Sequence, residues 1–559
     1  MDRPATPVRS AAGKPLKTHR RSPTLLDQST HSMHWRRAGW PVAATLVIFH
    51  AWMLHRYVVN FPFQDDFTQF LTVPGDLDAR HTLGAKVAYV FSSSGDHRIV
   101  TLRLAALFQA KVLGDLNFRT LVFCGNLLCA TTGLLVLSAA KAAFRPWLAA
   151  MAAMLLFSPS NWLPQYWASA SLQHYSMLAY AFGAIFCVSR TSIAWQTAGL
   201  LLGLGAAITG ANGLMVLPIG AALLYTLGRR HASALWIALS VVTFAFYFVD
   251  YQAPPGRPPP LESLRHPLSL LIMWLGTLGS IGEHFGYAVA IGAMLVAVWV
   301  WLVGSSRNRP ISVLLVAWMS FLFLCVATIA FGRAPFGYDA MLNSRYRIYS
   351  ELAIIITVIA MLGRIRSPQG KHLLMILLPV TAVWFWQSWE SNLPFIAELI
   401  TQQRSSLTHY QLTGQGIYRG FPPQDVADNL LKRADSDGYF TVSTSAPMTV
   451  LFRRDALSQT GAQSLWSEAP IVDPETITVR GFRHASDAHL LLWLEGDSRL
   501  YQGALQTQQV FNPVGTNWTI FWNTLSLYGV PPGRYKAGYS TDDAYPPVIT
   551  WRDGWSEIR

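Results

Sequence analysis

The chain holds 559 residues, 52% of them apolar and 13% charged, with a formal charge of +13. Soluble domains carry about 25% charged residues, so this composition excludes an ordinary soluble globular protein and makes lipid the solvent for much of the chain. A nucleic-acid partner is excluded as well: the basic residues stand in short gaps between apolar runs and in an N-terminal tail with eight Lys and Arg against two Asp before Trp40.

A spanning helix takes about 20 mostly apolar residues. Such runs lie over 39–58, 118–139, 147–163, 174–189, 194–210, 213–228, 233–250, 284–303, 311–330, 349–363 and 372–390, which predicts about eleven transmembrane helices. The first follows a long basic stretch and has no small-residue cleavage site after it, so it is expected to stay as an anchor. With the basic tail inside, the even connections are cytoplasmic. They read "KAAFRP", "SRTS", "GRRHAS", "SSRNRP" and "GRIRSPQGKH", each with Arg or Lys beside a helix end, as the charge bias of inner loops requires. This topology fits a bacterial inner membrane, with the N-terminus cytoplasmic and the C-terminal end in the periplasm.

Two further apolar stretches fit no span. Residues 99–114 contain Arg103 and Lys111, and a charge near the bilayer centre costs about 2.5–3.5 kcal/mol. The stretch is expected as an amphipathic helix on the outer interface, its cations toward headgroups. Residues 266–282 would reverse every later loop if they spanned, and are expected to be re-entrant or interfacial. Cys124, Cys129, Cys187 and Cys325 each lie inside an apolar run and read as buried thiols, not disulfides.

From about Thr401 Gly, Pro, Asp and Thr rise and the long apolar runs stop. A helix over 423–434 is followed by alternating stretches such as "AHLLLWLEG", "TNWTIFWNTL" and "GRYKAGYST", which predict a β-rich, sandwich-like outer domain. The chain thus divides into a basic tail (1–38), a membrane body (39–395) and an outer domain (396–559). Twelve aromatic residues between Trp493 and Trp555 are expected chiefly as its core.

The outer loops collect the unusual chemistry. The first holds Asp65, Asp66, Asp96, His97 and Arg98; the second holds His174; later ones hold Glu283, His284, Arg333, Tyr338, Arg345 and Arg347. Three arginines on the outer side run against the charge bias. An anionic partner explains them, because guanidinium forks pair bidentately with phosphate; pairing with Asp339 or lipid headgroups is the plainer alternative. Asp65 and Asp66 can likewise be N-cap residues of a short helix, a general base of raised proton affinity, or a seat for a divalent cation beside a phosphate. No cofactor is otherwise implied.

The segments "QDDF", "GDHRIVTLRL", "TGANGLMVLPIG" and "SRYRIYS", with an acidic pair in the first outer loop and a many-span body, resemble the GT-C class of membrane glycosyltransferases. Within it, the likeness is to bacterial mannosyl-, glucosyl- and aminoarabinose-transferase-like membrane proteins, over roughly residues 39–390. The resemblance implies transfer of a sugar from a polyprenyl-phosphate-linked donor to an envelope glycan or lipid acceptor, by a single inverting displacement. It makes Asp65 or Asp66 the base, gives the carrier phosphate to Arg333, Arg345 and Arg347, and has His97 and Arg98 position either substrate. The class often shows acid-x-acid where this chain has adjacent acids, which leaves open the use of a metal and the choice of base. The competing functions are a lipid-linked glycan transporter or flippase, an O-antigen polymerase or ligase, and an envelope scaffold.

Overall fold

The computed structural model describes residues 25–95, 97–251, 260–305, 311–413, 422–442 and strands lying between 471 and 558. The chain is mostly helical. Among the described residues, five helical segments are long and apolar enough to cross a membrane: Phe118–Ser138, Gly286–Gly304, Val313–Phe336, Ser344–Arg364 and Ser367–Arg404.

In chain order, α1 (Leu25–Tyr57) opens the helical body, and the segment after it carries α2 (Thr72–Asp78), α3 (Leu83–Phe91), the two-residue strands β1 (Ser93–Ser94) and β2 (His97–Arg98), and α4 (Val100–Phe108). The body continues with α5 (Phe118–Ser138), α6 (Arg145–Leu156), α7 (Trp162–Tyr166), α8 (Ala168–Val188), α9 (Ile193–Ala207), α10 (Val216–Thr226) and α11 (Arg230–Tyr247). It closes with α12 (Pro267–Leu278), α13 (Phe285–Gly304), α14 (Val313–Arg333), α15 (Arg347–Arg364) and α16 (Ser367–Thr413).

Several of these helices are shorter than the apolar runs that encode them. At about 1.5 Å per residue, α6 extends about 18 Å where the sequence predicts one helix over 147–163. Pro159 has no N–H for a helical ladder, and the chain makes a 3₁₀ turn at Pro159–Asn161 before α7. The runs over 194–210 and 213–228, separate already in the sequence, are divided by the 3₁₀ turn Ala211–Met215. Conversely α16 has 47 residues, about 70 Å, and runs well beyond a hydrocarbon core of about 30 Å.

Two packed regions result. The larger draws on α5, α6, α8, α10, α14 and α15, and includes Phe182, Trp318 and Phe321. The smaller gathers Phe61, Phe67, Phe70 and Leu71 of the first loop with Phe118, with Ile396, Leu399 and Ile400 of α16, and with Ala427, Leu431 and Phe440. These last belong to or follow α17 (Gln424–Ser436). Polar contacts rim it: Lys111 pairs with Asp78 at 2.6 Å and donates to Tyr439 Oη at 3.1 Å, and Arg433 pairs with Asp76 at 3.3 Å.

That rim overturns the expectation for 99–114. Arg103 is 5% exposed and donates to the carbonyls of Tyr89 (2.8 Å), Val90 (3.1 Å) and Ser92 (2.6 Å). It closes the C-terminus of α3, where carbonyls lack helical donors, instead of pointing to headgroups.

After α17 come β3 (Ile471–Val472), β4 (Thr476–His484), β5 (Leu490–Glu495), β6 (Leu500–Val510), β7 (Trp518–Ser526), β8 (Gly533–Thr541), β9 (Thr550–Trp551) and β10 (Ser556–Ile558). They form one antiparallel sheet in the order β10-β8-β5-β6-β7-β4-β3, with β9 also paired to β8. Of the aromatic residues expected as a core there, Tyr535 is described and is buried; the other side chains lie, with the basic tail before Leu25, outside the described residues.

Candidate functional site

The turn "FQDDF" sends three consecutive residues to three places. Gln64 takes φ 47°, a left-handed conformation that side chains other than glycine rarely adopt. Asp65, next in the chain, lines a cavity of about 430 Å³. Asp66 turns inward, is 1% exposed, and accepts from Phe63 N–H at 3.1 Å, from Ser169 N–H at 2.8 Å and from the Ser169 hydroxyl.

Ser169 is the second residue of α8, so Asp66 serves as a cap for a helix more than a hundred positions away. A carboxylate is well placed at a helix N-terminus, whose first N–H groups have no partner within the helix. Its own short helix, the π-turn Phe67–Leu71, receives no side-chain cap from it. Burial pushes the Asp66 carboxyl from 3.8 up to about 7, against the pull of its bonds to Ser169 and Phe63, with Asp65 adding to the rise.

The cavity beside Asp65 draws together residues scattered along the chain: Gln69 and His97 from the first loop, Gln173 and His174 from α8, Asn212 from the 3₁₀ turn, and Arg333, Arg345 and Tyr346. Arg333 Nε donates to Tyr346 Oη at 3.1 Å, and the Arg345 guanidinium stands 5.2 Å from the centre of that ring. Arg345 Nε is buried, and no hydrogen-bond acceptor among the described residues meets it. His174 lies edge-on to Tyr346, with ring centres 6.1 Å apart. Asn212 is fixed by Thr328 Oγ1, which donates to its Oδ1 at 2.7 Å, and by its own donation to Tyr349 Oη at 3.1 Å. The opposite wall is apolar and aromatic, with Phe244, Tyr247, Phe248 and Tyr251 at and beyond the end of α11.

Other candidates from the sequence lie elsewhere. Arg98 is 1% exposed; it donates to the carbonyls of Tyr247 (3.1 Å) and Phe246 (2.8 Å) and to those of Phe91 and Val249. It joins the ends of α3 and α11, and reaches the cavity only through Tyr247. Arg347, grouped in the sequence with Arg333 and Arg345, does not line this cavity. Its Nη1 pairs with Glu283 at 2.9 Å and donates to Asn392 Oδ1 at 3.1 Å, and Asn392 donates in turn to Glu283 at 2.9 Å. That closed triad answers the expected pairing with Asp339 by a different acid. His284 is exposed at the start of α13, and Tyr338 Oη donates to Ser269 at 3.3 Å; neither borders the cavity. Asp96 lies outside the described residues.

Sequence reasoning missed Gln69, Thr328 and the aromatic end of α11. The run "FAFYFVDY" over 244–251 was the available signal, since a helix end dense in Phe and Tyr marks a polar–apolar boundary. It also missed Glu351, fully buried in α15 and holding the α6–α7 break: Ser160 Oγ donates to it at 2.7 Å, and Asn161 Nδ2 donates to its other oxygen. Among the described residues, no group of three or more His, Cys, Asp or Glu is placed to hold a metal ion.

Neither a profile of a known protein family nor a curated protein matches the chain.

Proposed function

We propose that the chain is a membrane glycosyltransferase that moves a sugar from a polyprenyl-phosphate carrier to an envelope acceptor on the outer face of a bacterial inner membrane. In this reading about eleven helical segments make the body, of GT-C type, and the β-strand region is an outer domain. The observation that carries the reading is the cavity lined by one carboxylate, Asp65, and two guanidinium groups, Arg333 and Arg345, the latter with a buried donor that no acceptor among the described residues meets.

Asp65 removes the proton from an acceptor hydroxyl as that oxygen attacks the anomeric carbon. The bond from that carbon to the phosphate oxygen breaks in the same displacement, so the configuration inverts. The departing polyprenyl phosphate gains negative charge, which fixed cations in a partly enclosed site stabilise; Arg345 and Arg333 take that role. His97, Gln69, Gln173 and Asn212 supply hydrogen bonds for sugar hydroxyls. Asp66 has no direct part. Its carboxylate holds the N-terminus of α8 and thereby the orientation of Gln173 and His174.

The test is complementation of a deletion strain, with surface glycans read by mass. Wild type restores the missing increment, and Asp65→Asn and Arg345→Ala do not, although both accumulate in the membrane at wild-type level. Asp66→Asn loses modification only in proportion to lost folded protein. Polyprenyl-phosphate sugar accumulates in the outer leaflet of the Asp65→Asn strain. A transporter would instead leave the outer leaflet empty, and full modification by Asp65→Asn would refute the assignment of the base.

A further inference from the structure

A second cavity, of about 530 Å³, adjoins the first. Arg345 borders both, and the turn at Gln64 divides them: Gln64 lines the second cavity and Asp65 the first. A left-handed residue carries a conformational cost and persists where its surroundings require it; here it aims adjacent side chains into separate spaces.

The charges of the second cavity are largely met from within the chain. Arg347 is paired with Glu283 at 2.9 Å, and Glu398 accepts from Gln402 Nε2 at 3.1 Å. Besides Arg345, which borders both cavities, and Ser344, the polar lining is a set of side-chain amides, Gln64, Asn343 and Gln402, beside flat aromatic surface. Trp162 and Phe395 stack with ring centres 5.8 Å apart and planes 9° apart, and Phe395 is 48% exposed.

Amides that donate and accept, next to an aromatic face, match a ring that carries hydroxyls on its edge and C–H groups on its face. An acyl chain would cover those amides without supplying partners, which costs free energy wherever they lose water. Arg347 is already paired with Glu283, and Arg345, which borders both cavities, belongs to the carrier phosphate in the transfer reading.

We propose that this cavity binds a neutral saccharide. Resting on the transfer reading above, that saccharide is the acceptor, so the acceptor is a glycan and not a lipid, and its hydroxyl approaches Asp65 past the wall formed by Gln64 and Arg345.

The probe is the oligosaccharide pool released from the envelope of a deletion strain, fluorescently labelled and titrated by polarisation against the full chain in nanodiscs. The lipid extract of the same strain, equally labelled, is the second arm. No donor is present, so binding is read whether or not the first cavity performs transfer; loss of the transfer reading would show in the Asp65 experiment and not here. The expected result is saturable binding of the saccharide pool, about tenfold weaker in Trp162→Ala and restored to within about twofold in Trp162→Tyr, which keeps a ring. The restored variant also separates lost stacking from lost folding. Absence of binding to the wild-type protein, equal affinity in Trp162→Ala, or binding confined to the lipid extract each overturns the proposal.

Discussion

Asp65 and Asp66 differ by one position and by everything that surrounds them. Their composition and their nearness to a predicted span were legible in the sequence; the division of labour was not, because it depends on the φ of Gln64 and on the arrival of Ser169 from another segment. Two predictions belong at this scale. The folded Asp66 carboxyl titrates at about 7 against 3.8, so the folded chain keeps a proton that the unfolded chain releases. The corresponding stabilisation is complete below about pH 4 and is lost as the pH rises through about 7. The thermal midpoint of the wild-type protein in detergent should fall between pH 5 and pH 8, with a shallower fall in Asp66→Asn; identical slopes would contradict this assignment. The resemblance implies a substrate-positioning role for Arg98, yet it donates to four backbone carbonyls. Arg98→Ala should lower stability by about 3 kcal/mol or more, since buried acceptors lose their partner, and Arg98→Lys should recover only part of it because an ammonium cannot fork. Thermal denaturation of both variants gives the comparison.

Among the elements, the apolar runs were visible but their number as helices was blurred by small residues. Gly279 on the end of α12 and Gly292 in α13 meet at a close crossing, where a Cβ on Gly292 would sit against the Leu275 carbonyl and one on Gly279 against the Ala288 carbonyl. Small residues permit such approach in membranes, where apolar side chains alone gain little from leaving lipid. The stretch over 266–282, expected to be re-entrant or interfacial because a span there would reverse every later loop, holds α12, which has 12 residues and rests against α13. Gly292→Val should separate the pair and lower the thermal midpoint, whereas Gly286→Val, at a glycine with open space around it, should leave it unchanged. Equal effects at both positions would show that the crossing is not close. The break at Pro159 was hidden for a related reason: apolarity continues through it while the helical backbone does not.

On the scale of the whole molecule, the cavity exists because loops separated by hundreds of residues return to one side of the helical body. Nothing in local sequence reports that return, except the bias of basic residues toward alternate connections. The smaller packed region, with α17 set against the first loop and rimmed by Lys111, Asp78, Arg433 and Asp76, holds the turn that carries Asp65. The central claim is that Asp65 and Arg345 face one outer compartment and one ligand. In a Cys124→Ser background, which removes the exposed native thiol, Asp65→Cys and Arg345→Cys are each treated with a membrane-impermeant maleimide in spheroplasts, with and without added polyprenyl phosphate. Both positions should label from outside, and polyprenyl phosphate should protect both; labelling from opposite faces, or protection of neither, would contradict it.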